Sequence, residues 1–234
     1  MTGFMGHDRV YIIAEIGSNH GVSLDAALAL IDAAADAGAD AAKFQAGHAD
    51  HVYDPTQFPE EHASFKKYVE PVLSWLPDLD SKCQERGIDF GCSTFCLDAL
   101  DAVDPYVKWH KVASIEATWS EFVVMVRLKG KPTLISNGGS ERFGWAEGFG
   151  PGEVIPLHCV LSYPADLSDC HLRSHPAGFV DNLGRPLYRW GLSDHTTHPT
   201  IAPCAAVALG ASVIEKHIRR ESLAEAWYEK PGDK

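Results

Sequence analysis

The 234-residue chain is poor in cationic charge: 20 Lys and Arg stand against 32 Asp and Glu, a net charge of −12 with His neutral. A protein that grips a phosphate backbone non-specifically needs a basic face, so nucleic acid is excluded as the expected partner. Apolar runs are broken by charges well before the ~18 residues that a membrane-spanning helix needs, so no membrane role is expected. The six cysteines (Cys83, Cys92, Cys96, Cys159, Cys170, Cys204) include no C-x-x-C pair. No secretory segment is read ahead of them, which points to reduced thiols and a cytoplasmic protein. The first βα turn, Glu15-Ile16-Gly17-Ser18-Asn19-His20-Gly21, is not G-x-G-x-x-G, and no Walker A sequence occurs. Dinucleotide and NTP binding therefore have no support. No Pro/Gly-rich linker divides the chain, so one domain over residues 1–234 is expected.

The hydrophobic fraction is 45% and the charged fraction 22%, ordinary for a globular protein. A chain this long buries roughly 70–75% of its unfolded surface and needs no disulfide or structural metal. Short β-rich runs alternate with Ala/Leu-rich segments, the pattern of parallel strands joined by helices. Eight runs are read: Tyr11–Gly17, Ala41–Gln45, Asp89–Thr94, Trp109–Ser114, Pro132–Gly138, Glu153–Val160, Tyr188–His195 and Ser212–Ile218. Ser23 caps a first helix that Gly38 stops; Lys66 to Arg86 reads as a second, closed by Gly87. Ser120–Lys129 and Ile201–Leu209 are further helices, and residues 46–65, with Pro55 and Pro59, read as a long loop. Gly139–Gly152 and Asp166–Arg185 are weakly periodic, so the helices after runs five and six are expected to be irregular. Eight β/α repeats in this length predict a short (β/α)₈ TIM barrel, with a doubly wound open sheet as the alternative.

In a barrel the C-terminal strand ends line the active-site mouth, which gives weight to the polar residues that close these runs. They are Glu15, Lys43, Lys111 with Ser114 and Glu116, Ser136, Ser193 with His195, and Glu215 with His217. Period two puts Ser193 with His195 on one face, and Glu215 with His217 on one face, so two imidazoles can serve one divalent metal. Ordinary hydrogen-bonded histidines are an equally open reading. Lys43 and Lys111 sit among apolar neighbours, where an ammonium needs a carboxylate or an anionic ligand. Glu15 and Glu116 are the internal candidates, and a pair of buried ion pairs or a Schiff-base lysine remain alternatives. His158 and the cysteines read as packed polar or small buried residues.

The series Tyr11-Ile-Ile-Ala-Glu-Ile-Gly-Ser-Asn-His20, Ala39-Asp-Ala-Ala-Lys-Phe-Gln45, Lys111-Val-Ala-Ser114, Ser193-Asp-His-Thr196 and Ala206 to His217 resembles the sialic acid synthase family. Five ordered motifs fall on five expected strand ends. The resemblance implies a barrel that condenses phosphoenolpyruvate with an aldehyde sugar, releasing phosphate and forming a 2-keto sugar acid. It implies a divalent metal, Mn²⁺, on His195 and His217. It assigns phosphoenolpyruvate binding to Lys43, Thr94, Lys111, Ser114, Ser136 and Ser193, and the attacking water or a proton to Glu15. Glu116, Tyr163 and Asp233 would meet the acceptor.

Departures from the family pattern are specific. Ser-Gly-Glu reads Ser114-Ile115-Glu116, placing a β-branched side chain where the backbone is usually bare. Ser-Thr-Gly reads Ser136-Asn137-Gly138, and the Ser93-Thr94-Phe95 motif lacks the family's proline. Relatives usually continue into an antifreeze-like domain, whereas this sequence runs to Lys234, so a second copy or a separate chain is expected to close the site. The competing functions are a non-catalytic or regulatory barrel that binds a phosphorylated metabolite, and another metal-assisted aldol-type lyase.

Overall fold

The computed structural model describes residues 9–138, 154–174 and 189–219. Eight parallel strands follow chain order around a closed barrel: β1 (Tyr11–Gly17), β2 (Ala41–Ala46), β3 (Asp89–Thr94), β4 (His110–Val112), β5 (Thr133–Ser136), β6 (Val154–Cys159), β7 (Gly191–Asp194) and β8 (Val213–His217). This is the expected (β/α)₈ barrel. The strands are buried nearly throughout, as β2 illustrates with Ala41, Ala42, Lys43, Phe44 and Ala46, because a parallel sheet is covered on both faces. No helix among the described residues is long and apolar enough to cross a membrane.

The chain divides into two compact units: residues 14–107 with 217–234, and residues 1–13 with 108–216. In the first, α1 (Leu24–Asp36) begins where the Ser23 side chain accepts from the Ala26 N–H at 3.2 Å. Its apolar stripe, Ala27, Leu30, Ile31 and Ala34, is buried in a cluster with Ile16, Phe44, Leu76, Leu79 and Phe90. Gly87 ends α4 (Val72–Arg86) at φ 69°, the left-handed conformation that glycine adopts without a Cβ penalty.

Two helix readings are corrected here. Residues 46–65 hold α2 (Ala49–Val52) and most of α3 (Pro59–Tyr68). Pro59 was read as a breaker, but at the first helical turn its fixed φ and missing N–H start a helix. Lys66–Arg86 is not one helix: α3 ends at Tyr68 and α4 restarts after Pro71, which has no N–H to continue the ladder.

In the second unit, α6 (Ser120–Leu128) and α7 (Ile201–Ala208) fall where the sequence places them. Here α5 denotes Leu97–Val103 of the first unit. Trp190, Leu192, Ala202, Ala206, Ala211 and Ile214 form the core between α7 and strands β7 and β8. Gly191 is required by close approach: a Cβ there would run into the Val213 carbonyl oxygen and stand 2.7 Å from Leu157 Cδ2. Of the two stretches expected to be irregular, Gly139–Gly152 lies outside the described residues, and the described part of Asp166–Arg185 holds two 3₁₀ turns, Leu167–Asp169 and Leu172–Ser174.

Candidate active site

Each unit gathers buried polar side chains at its strand ends. In the first, Lys43 Nζ on β2 is 2.6 Å from Glu15 Oε2 on β1 and donates to Ser93 Oγ on β3 at 2.7 Å. All three residues are 2% exposed. Gln45 Nε2 donates to Glu15 Oε1 at 3.4 Å. Gly17 closes β1 at φ 54°, and a Cβ there would press within 3.2 Å of Glu15 Oε1. The expected Lys43–Glu15 partnership is therefore present, and a carboxylate supplies the charge that a buried ammonium requires.

Ser93, next to the Thr94 that the resemblance names for anion binding, is the residue that meets Lys43. In the β2–β3 register Gln45 opposes Ser93 and Ala46 opposes Thr94. Side chains alternate along a strand, so Ser93 shares the Lys43 face and the buried Thr94 takes the alternate one. The register was the missing signal. His217 ends β8, and the next residue, Ile218, is pinned from both sides of its peptide: its N–H donates to the Glu15 carbonyl at 2.9 Å, and its carbonyl accepts from Asn19 Nδ2 at 2.9 Å.

In the second unit, Lys111 Nζ on β4 donates to Ser136 Oγ on β5 at 2.8 Å and to the Val112 carbonyl at 3.1 Å. The carboxylate of Glu215 on β8 brings Oε1 to 3.9 Å from Lys111 Nζ, and Glu116, the neighbour expected from the sequence, also feels its charge. Glu215 in turn accepts from Ser193 Oγ at 2.6 Å. Period two on β7 and β8 brings these inward, so Glu215 is a site residue that strand pattern alone could have selected. Ser114 Oγ accepts the Gly138 N–H at 3.0 Å and lies 3.5 Å from Cys159 Sγ. Asp194 points to the other face, where it holds Lys216 at 2.6 Å and the Thr196 N–H at 2.9 Å.

His195, 8% exposed, follows β7 with Nδ1 2.7 Å from the Val160 carbonyl. Donation there places the proton on Nδ1 and leaves Nε2 the acceptor nitrogen. Burial holds its pKa below the usual histidine value, so the ring is neutral. A neutral imidazole oriented by a backbone carbonyl is the form that ligates a divalent metal, so His195 fits the role expected of it. Cys159 Sγ sits 3.7 and 3.8 Å from the two ring nitrogens, and burial pushes its thiol pKa up. The Tyr163 ring stacks on His195 with centroids 4.0 Å apart.

Glu116 stands in a 3₁₀ turn after β4 (Glu116–Thr118). Desolvation raises its pKa, and its buried Oε2 has no hydrogen-bond partner among the described residues. The carboxyl is thereby biased toward its protonated, hydrogen-bond-donating form. Asp233 lies outside the described residues.

The strand ends of a closed parallel barrel carry buried lysines and hydroxyls in each unit, with an oriented neutral imidazole in the second. The chain belongs to the NeuB family, whose model matches residues 30–227. It is 37% identical over 229 residues to the spore coat polysaccharide biosynthesis protein SpsE of Bacillus subtilis, covering 89% of this chain and 59% of that protein. It is 33% identical to a pseudaminic acid synthase of Campylobacter jejuni, covering 93% of this chain and 67% of that one. Among solved structures, the N-acetylneuraminic acid synthetase of Leptospira borgpetersenii superposes with a TM-score of 0.76 at 31% identity, over 92% of this chain and 74% of the other. The chain thus spans about 59–67% of the length of these two curated relatives.

Proposed function

We propose that this chain catalyses the condensation of phosphoenolpyruvate with an aldehyde sugar, forming a 2-keto sugar acid of the sialic acid type and releasing phosphate. The observation that carries the reading is the Lys111 cluster: a buried ammonium held by neutral oxygens, Ser136 Oγ and the Val112 carbonyl, at the C-terminal end of a parallel strand. Fixed cations and hydroxyls facing a trianion stabilise it without reorganisation. Ser114 and Ser193 extend the hydroxyl set, and Lys43 and Thr94 share the anion-holding role by resemblance to the family.

The enol carbon of phosphoenolpyruvate forms the new bond to the acceptor's aldehyde carbon, water adds at the phosphate-bearing carbon, and the C2–O bond cleaves with loss of inorganic phosphate. Glu15 accepts or relays the proton of that water. Glu116, whose pKa burial raises, meets the acceptor beside Tyr163. A divalent metal, Mn²⁺ in this reading, would be held by His195 and His217 and would supply Lewis-acid polarisation of the aldehyde. The orientation of His195 by Val160 supports this assignment. The same reading places the protein in the cytoplasm.

Calorimetric titration of metal-stripped protein with phosphoenolpyruvate, with and without Mn²⁺, tests the proposal before any acceptor is known. Saturable binding that Lys111→Ala weakens at least tenfold is expected, the worth of a charge-assisted hydrogen bond. Absence of binding under both conditions would sink the synthase reading and favour a barrel that binds another metabolite.

A further inference from the structure

The stretch from Cys159, which ends β6, to Ala165 is fastened to His195 along its length. The Val160 carbonyl stands 2.7 Å from Nδ1, and Cys159 Sγ lies 3.7 and 3.8 Å from the two ring nitrogens. Further along, the Ala165 N–H donates to the His195 carbonyl at 3.0 Å, and Ala165 pairs with Thr196 in a parallel bridge. The turn between these points is closed on itself: the Ser162 N–H donates to the Val160 carbonyl at 2.9 Å, and Ser162 Oγ donates to the Pro164 carbonyl at 2.9 Å. Tyr163, in the middle of this segment, is thereby anchored from both sides to the residue it stacks on.

The Tyr163 ring lies over the imidazole with centroids 4.0 Å apart and planes inclined by 30°. Tyr163 is 56% exposed and His195 8% exposed. The phenol withdraws little of its own surface from water while it shields the imidazole, so apolar burial is not the main gain of the contact. Donation to Val160 fixes the tautomer and one in-plane direction of the His195 ring, yet it leaves rotation about the Nδ1–H···O axis. A ring laid on the face removes that rotation, so Nε2 keeps one heading. Face-on contact also has a charge preference. Neutral aromatic pairs favour offset or edge-on arrangements about 4.5–7 Å apart, because their negative faces repel. An imidazole with a cation on Nε2 is electron-poor, and the negative face of a tyrosine attracts it. The stack is therefore stronger with metal bound than without, and that difference adds to metal affinity.

We propose that Tyr163 is a positioning residue for the divalent metal: its ring, stacked on His195, sets the heading of Nε2 and raises metal affinity before any sugar is present. The inference rests on the reading above that His195 ligates the metal. It deepens that reading by giving Tyr163 a role exerted through His195, separate from any contact with the acceptor. The hydroxyl has no part in it, so Tyr163→Phe keeps the function, whereas Tyr163→Leu, with apolar bulk but no π face, loses it.

The metal-stripped 234-residue chain is titrated with Mn²⁺ alone, and free Mn²⁺ is counted by electron paramagnetic resonance, for the wild type, Tyr163→Phe, Tyr163→Leu and His195→Ala. The two Tyr163 variants are expected to melt as the wild type does, since the side chain is more than half exposed. Tyr163→Leu is expected to bind Mn²⁺ about 10- to 100-fold more weakly, the usual cost of removing a group that orients a ligand histidine. Tyr163→Phe is expected to stay within about threefold of the wild type, since both rings offer the same kind of face. Wild-type affinity in Tyr163→Leu, with His195→Ala weakened, would overturn the positioning role and leave the metal reading intact. Equal losses in the Phe and Leu variants would assign the effect to the hydroxyl and overturn the stacking argument. Wild-type affinity in His195→Ala, or a wild type that binds no Mn²⁺, would overturn the metal reading and this inference with it.

Discussion

Lys43 is where a structural ion pair and a substrate-holding cation make different demands, and a two-residue cycle separates them. The ammonium and the Glu15 carboxylate are 2.6 Å apart with side chains 3% and 2% exposed. Lys43→Met removes the cation and strands a carboxylate in a place water does not reach. Breaking a buried pair in this way costs about 3–5 kcal/mol, which for a chain of this size lowers the melting temperature by about 6–20 °C. Lys43→Met combined with Glu15→Gln removes both charges and is expected to recover most of that loss, because the desolvation penalty disappears with them. Phosphoenolpyruvate binding is expected to respond differently. It should fall roughly 10- to 150-fold in the single variant, the worth of one charge-assisted hydrogen bond, and should remain low in the restored double variant. Urea denaturation gives the first quantity and calorimetric titration the second. A double variant that is stable and binds phosphoenolpyruvate like the wild type would refute the functional role and leave Lys43 a structural residue. A single variant that loses less than about 1 kcal/mol would refute the burial argument itself.

His20 is fully buried, edge-on to Trp75 at 5.2 Å, and burial lowers its pKa to about 4. Between about 6.5, the unfolded value, and 4 the unfolded chain binds a proton that the folded one refuses, so stability falls as pH drops through this window, by about 3 kcal/mol in total. Urea midpoints from pH 7.5 to 4 are expected to show the wild type's advantage over His20→Leu shrinking by that amount, and a gap that stays constant would contradict it. Gly191→Ala is expected to cost about 1–3 kcal/mol, a drop of about 2–12 °C in melting temperature, because its Cβ would collide with the Val213 carbonyl. A melting curve unchanged by that substitution would mean that β7 has room to move.

The barrel was legible because its signals are local: β-rich runs bounded by caps and glycines, such as Ser23 and Gly38 around α1. Errors arose where one residue type carries two meanings. Pro59 opens a helix but reads as a loop marker, and Pro71 interrupts an apolar periodicity that runs on through it. Among candidate site residues, Glu15, Lys43, Lys111, Ser136, Ser193 and His195 were visible as polar residues closing apolar runs. Ser93 was missed because its selection depends on register, since it meets Lys43 across the β2–β3 pair; Glu215 was visible as a polar residue closing β8, but its pairing with Ser193 across β7–β8 was not. A chain without its pairings does not say which of two adjacent hydroxyls faces inward, nor which of two glutamates, Glu116 or Glu215, stands nearer Lys111.

Those pairings also rank the two lysines as anion holders. Lys43 is bound tightly to a carboxylate at 2.6 Å, so an incoming anion must share or displace that partner. Lys111 donates to the neutral Ser136 hydroxyl and the Val112 carbonyl, and Glu215 stands 3.9 Å from it, beyond hydrogen-bond distance. On Lys111 a phosphate oxygen that replaces the Ser136 hydroxyl or the Val112 carbonyl exchanges a neutral oxygen for an anionic one, whereas on Lys43 it competes with the Glu15 carboxylate. A protein of net charge −12 can therefore attract a trianion locally, since the field in a pocket follows its nearest buried cation and not the sum over the surface. The consequence is an inverse ordering of the two substitutions. Lys111→Ala should weaken phosphoenolpyruvate binding more than Lys43→Met does while costing less stability, and the opposite order in the same titrations and denaturations would place the anion's main contact at Lys43.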